Sequence, residues 1–173
     1  MPARLTQLFL VLALGGCATA TARSPGPSTA TSAAVMAVVD SALRHINSGD
    51  LIALSDLMIP EAQVFPAQDR AGRGGTYTVR TVAAQRATGK RAPIIERGYD
   101  PIVHVAGTIA SVWMPYDLWA EGKWSHCGID LLTLVQVSAT WRIANFTYTI
   151  EQPPACQMHP DGPPPGYAPP PRR

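Results

Sequence analysis

The sequence is poor in the side chains from which most sites are built. Three cysteines and four histidines are spread over 173 residues. His45, His104, His126 and His159 stand apart, with no carboxylates at ligand spacing, so no metal centre is expected. There is no Gly-x-Ser-x-Gly elbow, no strand-to-helix phosphate loop and no cysteine in a nucleophile setting, and no cofactor is expected either. Charged residues make up 15% of the chain and the net charge is +2. The basic ones are scattered, which leaves no clustered face for nucleic acid. The apolar run from Leu8 to Leu14 is too short to cross a bilayer as a helix.

What is present bounds the architecture. With 46% apolar residues at this length, the chain supports one compact domain plus tails. Most of its seventeen prolines gather at the two ends, leaving a globular middle with irregular flanks. Arg4 precedes the apolar run, as in an export signal. The run ends in Leu14-Gly15-Gly16-Cys17, which resembles the lipobox of bacterial lipoproteins. That resemblance implies a signal peptide over 1–16, removed before Cys17, whose thiol and new amino group carry acyl chains. Two or more such chains anchor stably where one is marginal. The partner is then a membrane, and the protein an exported, membrane-anchored lipoprotein. Ala18 rather than Asp after the cysteine places it at the outer membrane and periplasm in a two-membrane host. An ordinary secretory signal cut near Ala18-Thr19-Ala20 is the alternative. Residues 17–32 are small and polar with Pro25 and Pro27, a flexible tether.

The domain, 33–152, opens with helices. Thr31 or Ser32 can cap a helix whose apolar stripe is Val35, Val38, Val39, Ala42, Leu43 and Ile46. Asn47-Ser48-Gly49 ends it, Asp50 caps a second helix over Leu51 to Met58, and Pro60 prevents its continuation. A short strand over Ala62 to Pro66 comes next. Gln68 to Gly75, with two arginines and three glycines, reads as a hydrated hairpin loop. Thr76 to Arg80 alternates like a strand, Thr81 opens a helix over Val82 to Thr88, and Gly89 stops it. Lys90 to Pro101 reads as a basic, turn-rich connection.

The large sheet begins at Ile102. Ile102 to Trp119 is long enough for two strands or one bent one, and Pro115 requires an edge, a bulge or a bend. Glu121-Gly122-Lys123 turns the chain, and Ser125 to Val137 and Trp141 to Glu151 are the next strands. If Gln136 and Trp141 face each other, His126, Gly128, Asp130, Leu132 and Leu134 share a face with Glu151, Thr149, Thr147, Asn145 and Ile143. The other face then carries Ile129, Leu131, Val135, Phe146 and Tyr148. A one-residue slip keeps the strands and exchanges their partners. Helices and then a long antiparallel meander give an α+β class with the helices on one side of the sheet.

Four stretches together carry a family resemblance: Ile46-Asn47-Ser48-Gly49-Asp50-Leu51, Val112-Trp113-Met114-Pro115-Tyr116-Asp117, Ser125-His126-Cys127-Gly128-Ile129-Asp130 and Trp141-Arg142-Ile143. Over 33–152 the chain resembles the nuclear transport factor 2-like superfamily, and within it the exported lumazine-binding-like or polyketide cyclase-like group. The resemblance implies a cone: a strongly curved antiparallel sheet covered by the N-terminal helices, with a pocket at its wide end. Ketosteroid isomerase and scytalone dehydratase are similar to this fold and use carboxylates and histidines in such a pocket. Many members of the superfamily have no activity, so the fold alone does not give a function.

Asp130, among apolar neighbours in a central strand, is the candidate general base, because burial raises a carboxyl's pKa toward neutrality. His126, on the same strand and face, lies roughly 13 Å away along an extended chain, too far for a direct dyad. Tyr116 is the other candidate donor, and Trp113, Asp117, Asn145 and Thr147 complete the candidate pocket. An Asp130 satisfied by Tyr, Trp or backbone donors is the structural alternative. Three functions are compatible with these residues: an envelope lipoprotein binding a small, partly apolar molecule or a protein partner; a proton-transfer enzyme of isomerase or dehydratase type; and a homodimer built through the sheet face. Cys127 and Cys156 remain after lipidation, and in an exported protein they either form a disulfide or stay as thiols. In the register above Cys127 faces Ile150, so residues 152–155 must turn back for that bond to close. Residues 153–173 read as an extended, hydrated, polyproline-like tail.

Overall fold

The structure, a computed structural model, describes residues 29–69 and 74–168. The expected signal peptide, Cys17, most of the expected tether, Arg70 and Arg73 of the expected hairpin loop and the last five residues of the chain lie outside the described residues. Helix α1 (Thr29–Ser48) buries Val35, Val39, Ala42 and Ile46, a single stripe at helical spacing. Residues 29–32, assigned to the tether by composition, belong to this helix; small residues extend a helix readily once the stripe beyond them is packed. Gly49 ends α1 at φ 70°, where a Cβ would collide with the Arg91 carbonyl. Asp50 caps α2 (Leu51–Asp56), accepting from the Ala53 N–H at 3.0 Å. This helix stops short of Met58 because the Leu57 carbonyl accepts from the Ile143 N–H at 2.9 Å, where the first strand joins the sheet.

The strands are β1 (Met58–Asp69), β2 (Gly75–Tyr77), β3 (Arg80–Thr81), β4 (Ile95–Gly98), β5 (Ile102–Ala106), β6 (Ile109–Ala120), β7 (Lys123–Val137) and β8 (Thr140–Ile150), with α3 (Val82–Thr88) after β3. They form one curled sheet in the order β2-β1-β8-β7-β6-β4, with β3 on β1 and β5 on β6. Every pairing is antiparallel except β1 with β8, which is parallel. The β6–β7 and β7–β8 hairpins turn on pairs of residues with positive φ, Glu121 and Gly122 at 51° and 77°, Ser138 and Ala139 at 47° and 63°. That is the turn whose twist matches right-twisted strands. Residues 95–98, read from sequence as part of a connection, form β4 on the outer part of β6. Pro115 falls in β6 between the β5 and β4 pairings, where its carbonyl accepts from the Tyr99 N–H at 3.0 Å. Its missing N–H therefore faces the gap between those strands and removes no bond to β7.

The β7–β8 register follows the sequence reading from Val137↔Thr140 to Leu134↔Ile143 and then slips by one. Ala144 is the extra residue of a bulge, so Thr133 pairs with Asn145, Leu132 with Phe146 and Asp130 with Tyr148. Phe146 and Tyr148 thereby turn inward. Met114, Leu132, Leu134, Ile143 and Phe146 pack from the sheet's inner face with Val35, Val39 and Ala42 of α1.

The bulge also moves Cys127 opposite Glu151 rather than Ile150. The chain turns back within a few residues, and Cys127 and Cys156 are joined in a disulfide with their Cα atoms 5.7 Å apart. Beyond Cys156, as far as Tyr167, the chain is not the hydrated tail that its composition suggests: it lies on the outer face of the sheet. Arg97 holds both oxygens of Asp117, at 2.9 and 2.5 Å, and donates to the Gly162 carbonyl at 2.7 Å. The His159 N–H donates to Asp117 at 3.1 Å, and Tyr167 sets its ring edge on Trp119 with centroids 5.5 Å apart. Proline richness prevents regular structure here, but it also lowers the entropy lost on docking.

Candidate functional site

Alternation decides what the cone contains. On β6 the even positions Ala110, Val112, Met114, Tyr116 and Leu118 face inward, and on β7 so do His126, Asp130, Leu132 and Leu134. The bulge adds Phe146 and Tyr148 from β8. At one end these residues meet α1 as core. At the other, Leu118, His126, Phe146 and Tyr148 border a cavity of about 200 Å³, with Ile46, Leu54 and Val64 among its other apolar walls; Asp130 and Tyr116 are not on its lining. Its polar walls are Arg80, Gln85, Arg91, Glu96, His126 and Tyr148.

Glu96 is placed by its own backbone. Its N–H donates to Asn47 Oδ1 at 2.6 Å and its carbonyl accepts from Asn47 Nδ2 at 2.9 Å, so the end of α1 fixes β4. The side chain is 8% exposed and its Oε1 has no partner. Burial pushes its pKa up to about 7 against the opposing charge of Arg91. Asp130 is buried beside it, 1% exposed, with neither oxygen partnered. Burial, and then the charge of Glu96, hold its pKa well above the ordinary carboxylate range. Two such carboxyls share protons near neutral pH rather than ionise together.

The aromatic groups around them are partly committed. Tyr116 donates to the Thr149 carbonyl at 2.6 Å, and burial raises its pKa further above the phenol range, with the Asp130 charge adding to the effect. Its ring stands edge-on to His126 and Tyr148, centroids 5.9 and 6.5 Å away. His126 Nδ1 lies 2.9 Å from Ser125 Oγ, and burial lowers the ring's pKa, so it is neutral at neutral pH. Tyr148 accepts from Arg80 Nη2 at 3.1 Å. Asp130, His126 and Tyr116 thus share the inner face, as the alternation of the strands requires, but no hydrogen bond joins them to one another.

Trp113, Asp117, Asn145 and Thr147 are not in the cavity. Trp113 and Asp117 are odd positions of β6 and face outward, Trp113 beside Ile102 and Leu131, Asp117 beneath the C-terminal segment. Asn145 and Thr147 belong inside only in a register without the bulge; they face outward, with Thr147 Oγ1 donating to Asn145 Oδ1 at 2.8 Å. Sequence reading missed Glu96, Arg80 and Arg91. Glu96 carried a weak signal, an acid directly after Ile94 and Ile95. Among the described residues, the buried side-chain nitrogens and oxygens without partners are Arg80 Nε, Glu96 Oε1 and both Asp130 oxygens. No three His, Cys, Asp or Glu side chains among the described residues cluster as a metal set.

No family model matches the sequence, and no curated protein matches it either. Solved structures do match. An NTF2-like protein with a cystatin-like fold from Novosphingobium aromaticivorans superposes with a TM-score of 0.53 at 15% identity, over 68% of this chain and 80% of that one. The fold is NTF2-like. An NTF2-like protein of unknown function from Pseudomonas putida aligns over 80% of this chain and all of its own, TM-score 0.57, 14% identity. The CaMKII hub of S. rosetta aligns over 68% of this chain and 94% of its own, TM-score 0.53, 20% identity. At these identities the likeness is one of fold. The function of this NTF2-like cone depends on the groups that the chain puts inside it.

Proposed function

We propose that this chain is an envelope-anchored lipoprotein whose cone binds a small, partly apolar molecule. The observation that supports the reading is a partly open cavity of about 200 Å³ with buried polar atoms in and around it that have no partner in the protein. Burying such atoms costs stability, and a bound molecule offsets that cost by pairing with them. Native mass spectrometry of protein purified from the envelope is expected to find an added small mass that is lost on denaturation. Bare protein, together with no hits in a ligand-observed fragment screen, would remove the reading. Anchoring is tested separately: Cys17→Ala should abolish incorporation of an alkyne-labelled fatty acid and release the protein from the membrane fraction.

A second reading, proton transfer, is favoured by the neighbouring carboxyls of Asp130 and Glu96, whose pKa values are both raised. Asp130 serves as general base in this reading, and a protonated Glu96 on the cavity wall is better placed as donor than Tyr116, whose hydroxyl is engaged. Asp130→Asn then abolishes turnover with affinity kept, whereas a pure binding site shows no turnover in either protein and keeps its affinity. Homodimerisation through the outer face is the third reading, favoured by adjacent Ile102 and Trp113, 53% and 47% exposed. Sedimentation of wild type against Trp113→Arg separates it from the others.

A further inference from the structure

We propose that the molecule bound in the cone is a small organic monoanion: an apolar body of about one ring in size inside the cavity, and a carboxylate-type oxyanion seated on Arg80. The inference rests on the ligand-binding reading above and names the chemistry of its ligand.

Arg80 stands at the mouth. It lines both the cavity and an adjoining, shallower depression of about 310 Å³ bordered by Pro66, Thr76 and Tyr77, and Tyr148 is common to both. The Tyr148 hydroxyl accepts from Arg80 Nη2 at 3.1 Å and so fixes the plane of the guanidinium. Its Nε is buried with no partner. The ion pairs among the described residues are Arg86–Asp56, Arg97–Asp117 and His159–Asp161, so no described carboxylate neutralises Arg80. A cation in this position has lost water at one edge and gained no acceptor there. An oxyanion accepting from Nε supplies the missing bond together with the missing charge, in the geometry for which guanidinium is suited.

The interior sets the rest of the ligand. A cavity of about 150 Å³ lined by aliphatic and aromatic groups takes benzene, so about 200 Å³ takes one ring with a substituent or a chain of about six carbons. The walls facing Arg80's cavity are mainly Ile46, Leu54, Val64 and Phe146, which favour a hydrocarbon body. Inorganic phosphate matches the cation but leaves those walls uncovered. Glu96 lines the same space but forms no ion pair with Arg80, and the charge that bears on it is that of Arg91.

The test compares two probes of nearly equal shape on the full mature chain. Benzoate and benzamide are titrated by calorimetry or ligand-observed NMR into wild type, Arg80→Gln and Arg80→Lys, with hexanoate as a chain-shaped probe. Benzoate is expected to bind about tenfold tighter than benzamide to wild type, the scale of one good charge-assisted contact. Arg80→Gln should bring the ratio of the two affinities to about one, and Arg80→Lys should keep part of the preference. Equal or tighter binding of benzamide overturns the anion assignment, and a preference that survives Arg80→Gln overturns Arg80 as its seat, with Arg91 on the same wall; either result leaves the cavity reading standing. Failure of all three probes on wild type overturns the cavity reading and this inference with it. Should Arg80→Gln not fold, the wild-type ratio of the two probes decides alone.

Discussion

Glu96→Gln should stabilise the protein, and by more as the pH rises. In the unfolded chain this carboxyl titrates near 4.5; in the cone it titrates near 7. The native state therefore holds the proton more tightly. Below pH 4.5 both states are protonated and the site costs nothing. As pH rises toward 7 the unfolded chain ionises and the native one does not, so stability falls until the native carboxyl ionises too. The gap between the two values corresponds to about 3 kcal/mol lost by the time the pH has passed 7. Glutamine keeps the shape of the neutral acid and has no proton to lose. His126 acts with the opposite sign, since burial lowers its pKa and its contribution is lost as the pH falls. The quantity to measure is thus the difference between wild type and Glu96→Gln at each pH, in which His126 cancels. Urea unfolding by tryptophan fluorescence from about pH 4 to about pH 8 supplies it. Replacing Glu96 also relieves Asp130, so the gain can exceed the figure above. Parallel pH profiles for the two proteins would refute the argument, because they would mean that Glu96 is not held as a buried acid.

Three further changes probe the scaffold. Cys156→Ser opens a loop spanning 29 positions and should cost about 3–4 kcal/mol in urea unfolding; a loss under about 1 kcal/mol would mean that the closed loop does not restrain the unfolded chain. Truncation after Gln157 removes the contacts of His159, Gly162 and Tyr167, so Trp119, now 1% exposed, should become accessible to acrylamide quenching. Unchanged quenching would contradict the docked segment. Gly128→Ala places a methyl group against the Thr149 carbonyl, a backbone atom that cannot step aside, and should destabilise by about 2–3 kcal/mol in thermal or urea unfolding; a neutral result would mean that β7 and β8 lie further apart.

Local chemistry made much of this fold readable. The stripe of α1, the Asp50 cap, α3 between Thr81 and Gly89, and the turns at Glu121 and Ser138 all arise from side chains acting on their own backbone. What depended on distant partners was not readable. β4 is an edge strand whose existence rests on β6, and the residues before it, Lys90 to Pro93, look like loop. The C-terminal segment is ordered by Arg97, Asp117 and Trp119, none of which is near it in sequence. Within the site, Asp130, His126 and Tyr116 were legible because β-strand alternation is a local rule. Glu96 and Arg91 were not, because they stand in short segments with no period of their own; nor was Arg80, because alternation over Thr76 to Arg80 does not show that Arg80 pairs with Val64 beside the cavity. Asn145 and Thr147 were misplaced because nothing marks Ala144 as the extra residue, neither glycine nor proline.

That one inserted residue has a consequence for descent. A relative lacking it could retain every strand and nearly every ladder bond, yet it would expose Phe146 and Tyr148 and draw Asn145 and Thr147 into the hollow. Its interior would become wetter and its exterior stickier with no change in overall shape. A single codon gained or lost at this point would therefore alter what the cone can hold more than many substitutions elsewhere, and an alignment that hides it would match the wrong interiors.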